Sequence, residues 1–430
     1  MQLAIFLAAA LTAHTNIDAQ RWLDFDFPAV RIGVAEYEEG PTGATVFYFP
    51  KGAKAAVDVR GGAPGTINTD ALRLAYDAPF VDAVTFAGGS SYGLSVATGA
   101  AQAIKEQREN PNELASIATV AGAIIFDVGP RRYSTVVPDE ALGRAAFAAA
   151  KPGRFPLGAH GAGRFAMQSG YFGDDARTYS GQGAAFRQIG ATKIAVFIVV
   201  NALGAVVDRD GNMVRCAKPP CGKIAARLAS VAAGFSRPTA DAGRLKPGPT
   251  PATTLTLVVT NQKLPYWALQ RLAIQVHSSI ARAIQPFSTA NDGDTLFALS
   301  TDEIDPGNFG VANLGVAASE VAWDAILSSV PELDPPDTRP PAHVDPSALD
   351  RWAGTYELAP GARVTVARSG DALTVTATRG SIYLPANKAV TLVPVSATDF
   401  RLPNARLRFD EHGLVINPGH WPIPARRVAP

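Results

Sequence analysis

Cysteine and net charge are what this sequence has least of. Its 430 residues include two Cys, and 39 Lys and Arg stand against 38 Asp and Glu. A formal charge of +1 gives no basic field to attract nucleic acid and no acidic excess of the kind that marks a solvated tail. Small-molecule or peptide substrates suit this balance better. Long apolar runs are also missing. The stretch 3–11 is apolar but falls well short of the roughly 18 residues that a spanning helix requires, so no membrane span is expected. Its length suits the hydrophobic region of a signal peptide, with small residues at Ala13 and Ala19, and predicts removal of residues 1–19 from a periplasmic or secreted protein. Cys216 and Cys221 lie in a turn-rich Arg-Cys-Ala-Lys-Pro-Pro-Cys-Gly loop with no paired histidine. That is a poor zinc site and a suitable small disulfide ring in an oxidising compartment. Neither metal nor cofactor is expected.

What is present is a globular composition, 47% hydrophobic and 18% charged, in a chain long enough for two or three domains with substantial cores. The chain is organised around residues 249–261, Pro-Thr-Pro-Ala-Thr-Thr-Leu-Thr-Leu-Val-Val-Thr-Asn. Upstream, 236–251 carries prolines at 238, 247, 249 and 251 without apolar periodicity and reads as exposed loop. Downstream, 255–259 is apolar and β-branched, as in a buried strand. The junction falls at Ala252-Thr253. A threonine that opens a strand at the end of a loop is placed as an N-terminal nucleophile would be, once the peptide bond before it is cut. The cut itself makes the base. A chain-terminal amine with a pKa of about 7.7–8.0 accepts a hydroxyl proton near neutrality, where a lysine at about 10.4 cannot. The same two threonines also suit an ordinary strand opening, so other stretches must decide.

Residues 29–64 alternate in hydrophobicity between Gly and Pro turns and predict antiparallel strands. A strand at 82–86 and a helical run over 94–109 flank a glycine-rich turn at 88–93. Backbone N–H groups at such a helix N-terminus suit an oxyanion or a carboxylate. The turn also spells Gly89-Ser90-Ser91-Tyr92-Gly93, the nucleophile-elbow pattern of α/β-hydrolases, which makes Ser91 a rival nucleophile. Its partners look poor. His277 lies in the amphipathic run 267–284, His343, His412 and His420 fall in the tail, and His160 alone sits on a loop near other candidates. The glycine-rich loop 158–165 around His160 lacks the spacing of a dinucleotide fingerprint.

Strand 193–201 ends in Asn201, whose amide is placed either to donate to a developing oxyanion or to cap the following turn. Before the strand 296–300, Asn291-Asp-Gly-Asp-Thr sets Asp292 and Asp294 on either side of a glycine. Two such carboxylates suit a substrate ammonium or an N-terminal amine, and they equally suit a plain Asp-Gly turn.

Gly88-Gly-Ser-Ser-Tyr-Gly-Leu, Val199-Val-Asn-Ala-Leu-Gly, Thr253-Thr-Leu-Thr-Leu-Val-Val-Thr-Asn and Asp292-Gly-Asp-Thr-Leu-Phe-Ala-Leu-Ser form an ordered series. In order and spacing it resembles the L-aminopeptidase/D-esterase family, which includes the β-peptidyl aminopeptidases, over about residues 27–328. The resemblance implies an α/β chain with an αββα sandwich like that of N-terminal nucleophile hydrolases, differently connected. It also implies a self-cleaving precursor and a homo-oligomer of processed fragment pairs. Residue by residue, it implies Thr253 as nucleophile with the cut between Ala252 and Thr253, Asn201 as the oxyanion-side asparagine, and Asp294 as an acidic residue near the nucleophile's amine. Asp292 stands where some members have serine, and Ala252 where they have Asn or Gly. Gly88, Gly89, Ser90 and Ser91 then become a backbone wall of the substrate site. The activity implied is removal of N-terminal residues from short peptides, amides or esters. A Ser91 hydrolase and a catalytically idle secreted binding protein are the alternatives.

Residues 331–348 cluster prolines and acidic residues and read as a linker between a peptidase domain at 20–330 and a tail at 349–430. In the tail, six stretches at 352–358, 363–367, 372–377, 389–394, 406–409 and 414–417 alternate with Gly, Asp and Pro turns. They predict a small all-β barrel or sandwich, similar to the lipocalin-like modules appended to some secreted hydrolases. No titratable cluster lies in it, and because the candidate site lies wholly upstream and the linker carries few possible contacts, truncation near Asp337 is expected to leave a folded, active enzyme.

Overall fold

The fold, taken from a computed structural model, is described for residues 21–73, 80–110, 113–235, 252–330, 339–381, 383–402, 405–417 and 421–428. The signal-peptide region 1–19, the loop 236–251 and the first part of the linker, 331–338, lie outside the described residues.

Period-two hydrophobicity builds one large sheet. Its main strands are β1 (Arg31–Tyr37), β2 (Thr42–Val59), β3 (Phe80–Ala87) and β4 (Val120–Ile124), then β5 (Gln182–Ile189), β6 (Thr192–Asn201), β7 (Thr253–Gln262) and β8 (Thr295–Ile304). They run in the order β5-β6-β7-β8-β2-β3-β4, with β1 beside β2. The long β2 serves two neighbourhoods: residues 42–48 pair with β1 and β3, residues 54–59 pair with β8, and the register shifts between Tyr48 and Ala53. The two sheet layers are therefore halves of one ten-stranded sheet that share β2.

Successive strand residues point to opposite faces, and this alternation sorts the core into layers. Phe197, Leu257 and Phe297 of one half meet Phe47 and Phe86 of the other. Ring centroids lie 5.2 Å apart for Phe47 and Phe197 and 6.2 Å apart for Phe86 and Phe297. The intervening residues Val196, Ile198, Val258 and Leu296 face outward and pack under α3 (Tyr266–Ser279) and α4 (Val311–Ser328). Ala44, Val46, Ala83 and Val120 likewise pack under α1 (Ser95–Gln107) and α2 (Glu140–Ala148). The outcome is the expected αββα sandwich. Strand β7 sits between β6 and β8 with both faces covered, and all ten of its residues are buried. A strand covered on both faces reads as a nearly continuous apolar run.

Eight strands close the C-terminal barrel: β9 (Gly354–Ala359), β10 (Ala362–Ser369), β11 (Ala372–Ala377) and β12 (Val390–Pro394), then β13 (Asp399–Leu402), β14 (Ala405–Asp410), β15 (Gly413–Ile416) and β16 (Ile423–Arg427). The sequence marks six of them; β13 and β16 complete the ring. Val364, Val375, Phe400, Leu407 and Leu414 are buried in it.

This barrel is docked and not merely tethered, which corrects the expectation of a linker with few contacts. Trp421, fully buried, stacks on Tyr179 of the main domain at 4.4 Å between ring centroids. Its indole N–H donates to Ser180 O at 3.2 Å, Arg164 donates to Pro422 O at 3.2 Å, and the Tyr179 and Tyr383 hydroxyls are hydrogen-bonded to each other. Tyr133, Phe165 and Tyr179 belong to the same apolar cluster as the barrel interior. The end of the linker joins in too, with Ala342 N on Pro394 O at 2.9 Å and Leu349 buried. Truncation near Asp337 would uncover this face, so lower solubility is expected in place of a free-standing active core. Within the full chain, Trp421→Ala is expected to cost about 3–5 kcal/mol, measured as a fall in the unfolding midpoint in urea.

Candidate active site

Register brings the first two candidates together, because Asn201 at the end of β6 lies opposite Thr253 at the start of β7. The Ala252-Thr253 junction is inside the protein: Ala252 is 6% exposed and Thr253 3%. The Thr253 hydroxyl donates to the Ala252 carbonyl oxygen at 2.6 Å.

A second donor reaches that oxygen from the turn before β8. Ala252 bridges to Asp292, its N–H donates to Asn291 O at 3.1 Å, and Gly293 N–H donates to Ala252 O at 2.7 Å. Negative charge develops on this oxygen when the Thr253 hydroxyl attacks, so Gly293 stands where an oxyanion donor is needed. A Cβ at position 293 would lie 2.6 Å from Thr253 Oγ1 and 2.9 Å from Ala63 O, which leaves room for glycine alone. Sequence reasoning named the two flanking aspartates and passed over this residue. The Asp-Gly-Asp turn was visible, but its partner across the chain was not.

Asn201 is held from both sides, accepting from Met167 N at 3.0 Å and donating to Phe126 O at 3.1 Å. Its amide carries a second N–H that these contacts leave over. In the uncut chain the backbone donor on the Ala252 carbonyl is Gly293 N–H.

Both aspartates are buried and hydrogen-bonded. Asp294 accepts from Thr254 N at 2.6 Å with one oxygen and from Ser288 N at 2.9 Å and Ser288 Oγ at 3.3 Å with the other. Asp292 accepts from Thr289 N at 2.8 Å and Thr289 Oγ1 at 2.6 Å. Burial, reinforced by the nearby charge of Asp292, pushes Asp294 up to about 7 against the opposing pull of its N–H donors. The folded chain keeps a proton that the unfolded chain releases above its ordinary value of 3.8, so this contribution to stability is complete at lower pH and declines as pH rises to about 7. Urea unfolding of the uncut Thr253→Ala chain is expected to show that decline, and Asp294→Asn in the same background is expected to flatten it.

The turn 88–91 stands behind the site. Gly89 N–H donates to Asp127 at 2.7 Å, Thr42 Oγ1 to Asp127 at 2.8 Å and Arg131 to Asp127 at 3.1 Å, within a buried ion pair. A Cβ at Gly88 would lie 2.4 Å from both the Asp127 carboxylate and Thr42 Oγ1. Ser91 is exposed on the 3₁₀ turn Ser90–Leu94. His160 stands 3.3 Å from Glu36, and His277 is buried 2.9 Å from Asp58, with burial holding its pKa below the usual histidine value. The turn thus braces Asp127, and the neighbouring Phe126 and Gly129 line the cleft in its place.

That cleft has a volume of about 500 Å³ and opens beside Ala252 and Asn201, a size suited to a small peptide or amide. Phe126, Met167 and Leu203 form its apolar part, and Gly380 and Ser381 of the barrel also line it. Among the described residues, no group of three or more His, Cys, Asp or Glu is placed to hold a metal ion. Cys216 and Cys221 are joined in a disulfide. No helix among the described residues is long and apolar enough to cross a membrane.

A family model described as Peptidase family S58 matches residues 25–334, ending before the first barrel strand at Gly354. The chain is 43% identical over 331 residues to the 6-aminohexanoate-oligomer endohydrolase of Paenarthrobacter ureafaciens, a match covering 74% of this chain and 88% of that protein. Among solved structures, a Burkholderia sp. beta-aminopeptidase matches with a TM-score of 0.51 at 17% identity, over 73% of this chain and 88% of that chain. The L-aminopeptidase D-Ala-esterase/amidase of Ochrobactrum anthropi matches with a TM-score of 0.50 at 15% identity, over 70% of this chain and 83% of that chain. It is described as a prototype for the serine aminopeptidases and a new variant among the Ntn hydrolase fold. At these identities both structures bear on fold alone.

Proposed function

Because the chain belongs to peptidase family S58, we propose that this peptide-bond hydrolase is a self-cleaving N-terminal nucleophile enzyme with Thr253 as the nucleophile. The observation that carries the reading is one oxygen with two donors, the Ala252 carbonyl held by Thr253 Oγ1 at 2.6 Å and Gly293 N–H at 2.7 Å.

In the cleavage step, Thr253 Oγ adds to the Ala252 carbonyl carbon and passes its proton to solvent water, while Gly293 N–H holds the oxygen as it becomes negative. The carbon–nitrogen bond then breaks as water returns that proton to the Thr253 nitrogen, and Ala252 is left as an ester on the Thr253 oxygen. Water hydrolyses the ester, which frees the Ala252 carboxylate, the hydroxyl and the amine of Thr253. That amine is the base for turnover. It accepts the hydroxyl proton as Thr253 attacks the substrate's acyl carbon and returns it to the leaving amine, and water then clears the acyl group. With Ala252 detached, Gly293 N–H is free to serve the substrate oxyanion together with the spare N–H of Asn201. Asp294, bound to Thr254 N, supplies negative charge beside the new amine and a substrate ammonium once a cation next to it favours loss of its proton, together with Asp292.

The substrates this supports are short peptides, aminoacyl amides or esters with a free amine, including linear amino-acid oligomers of the type that names the Paenarthrobacter relative. Residues 1–19 and the Cys216–Cys221 disulfide support export to the periplasm or beyond, and family S58 membership supports a homo-oligomer of processed fragment pairs. Intact mass and N-terminal sequencing test the core of the reading. Two fragments are expected, the smaller beginning at Thr253. An active protein that remains one chain would overturn it, and equal turnover of aminoacyl and N-acetyl-aminoacyl anilides would remove the free-amine requirement.

A further inference from the structure

The cleft lining has a charge pattern that the cleavage chemistry does not use. We propose that Arg132 and Arg177 hold a substrate carboxylate in this cleft, which the barrel turn at 380–381 helps to wall, so that the enzyme selects short substrates with a free acid. The inference rests on the Thr253 reading and adds a substrate carboxylate to it.

The cleft lining includes two guanidinium groups, Arg132 and Arg177, and no acidic side chain. Arg177 has a weak partner in Asp174, 3.9 Å away with a side chain 96% exposed, and such pairs contribute little. Arg132 is exposed and has no ion pair among the described residues. Gln168 is 1% exposed and its side chain is tied to Val206, whose N–H its Oε1 accepts at 2.7 Å, so it backs the cleft wall and does not reach a ligand. A carboxylate answers both arginines, since each guanidinium binds it in a two-point fork.

The barrel limits length. Ser381 fixes its own turn, with Oγ accepting from Tyr383 N at 3.2 Å and Leu384 N at 3.1 Å, and its N–H donating to Leu384 O at 2.8 Å. Tyr383 is in turn bonded to the Tyr179 hydroxyl and accepts from Asn417 at 2.9 Å. Ser180, next to Tyr179, donates to Val200 O, one residue from Asn201. This chain of bonds sets the wall in a fixed position relative to Thr253. Phe126, Met167 and Leu203 add an apolar lining that suits a hydrocarbon spacer.

The test is made on the full-length processed enzyme. We would measure kcat/KM for a short aminoacyl substrate with a free terminal carboxylate, for its terminal amide, and for a series of increasing length. The free acid is expected to be preferred by about tenfold, with the preference shrinking as salt rises. Arg177→Ala and Arg132→Ala should raise KM for the acid alone, and the lysine variants should restore part of the preference. Ser381→Trp should change the length profile, slowing the longer substrates more than the shortest. Equal kcat/KM for acid and amide in the wild type, arginine variants that slow both alike, or an unchanged length profile in Ser381→Trp would each overturn the proposal. Self-cleavage, followed by mass, reports separately on Thr253. If the chain hydrolyses nothing, the carboxylate site is read by binding. A linear ω-amino acid should raise the thermal midpoint of the wild type and not of Arg177→Ala, and no shift in either would overturn it.

Discussion

Thr253→Ala is expected to yield one intact chain of 430 residues, less any leader, with no amide hydrolysis above background. The substitution removes the hydroxyl that sits 2.6 Å from the Ala252 carbonyl oxygen, and with it both the self-cleavage and the later acyl transfer. Loss of a covalent nucleophile typically costs many orders of magnitude in rate, on the order of 10⁶ in the best-studied triads. Thr253→Ser keeps the oxygen and should still process. Ser91→Ala should process and retain most turnover, since Ser91 lies on an exposed turn outside the cleft lining. Gel mobility of the freshly purified protein, followed by an aminoacyl anilide assay, separates these cases. Activity that survives in Thr253→Ala and vanishes in Ser91→Ala would transfer the chemistry to the elbow.

Gly293→Ala should come next in severity, with self-cleavage slowed by on the order of 10²-fold or more, because displacing reacting groups by about 1 Å is enough for such a loss. The added methyl would stand 2.6 Å from Thr253 Oγ1 and 2.9 Å from Ala63 O, so the hydroxyl, the turn or both must move. Relief is difficult. Ala63 N–H is bonded to Asp292 O at 2.8 Å, and a Cβ on Gly61 would meet Asp292 O at 2.2 Å, so the turn is already pressed against the segment 61–63. A time course of fragment appearance after rapid purification measures the effect, and near-UV circular dichroism verifies that the uncut chain is folded. Processing at the wild-type rate would remove Gly293 from the oxyanion role.

The alternation of residues in strands and the 3.6-residue period of the helices are legible directly in the residues and mark the elements, whereas the layer order of the sandwich is implied by the family resemblance. Each is a local pattern, fixed by which side of an element must be dry. Six barrel strands were legible for the same reason. The remaining two, Asp399–Leu402 and Ile423–Arg427, were less so, being short and containing charged residues or proline. Thr253 and the pair Asp292 and Asp294 are legible from residue type, position and family resemblance, none of which depends on a contact between them.

By itself, the sequence determined the element types, the buried character of β7, the Cys216–Cys221 spacing and the list of polar residues from which a site could be made. Only the tertiary structure decided how that list is used. Asn201 faces Thr253 because β6 and β7 pair in one register, and Gly293 reaches the Ala252 carbonyl because the turn before β8 is laid beside β7. Asp294 meets Thr254 across 40 residues of chain and is raised to about 7 by the burial that results. The barrel, which reads as a separate module, lines the cleft because Trp421 and Tyr383 dock on Tyr179. The physical reason is the same throughout. Periodicity is set by neighbours along the chain, whereas a donor's partner, a carboxyl group's solvation and the wall of a cavity are set by whatever segment folding packs against them.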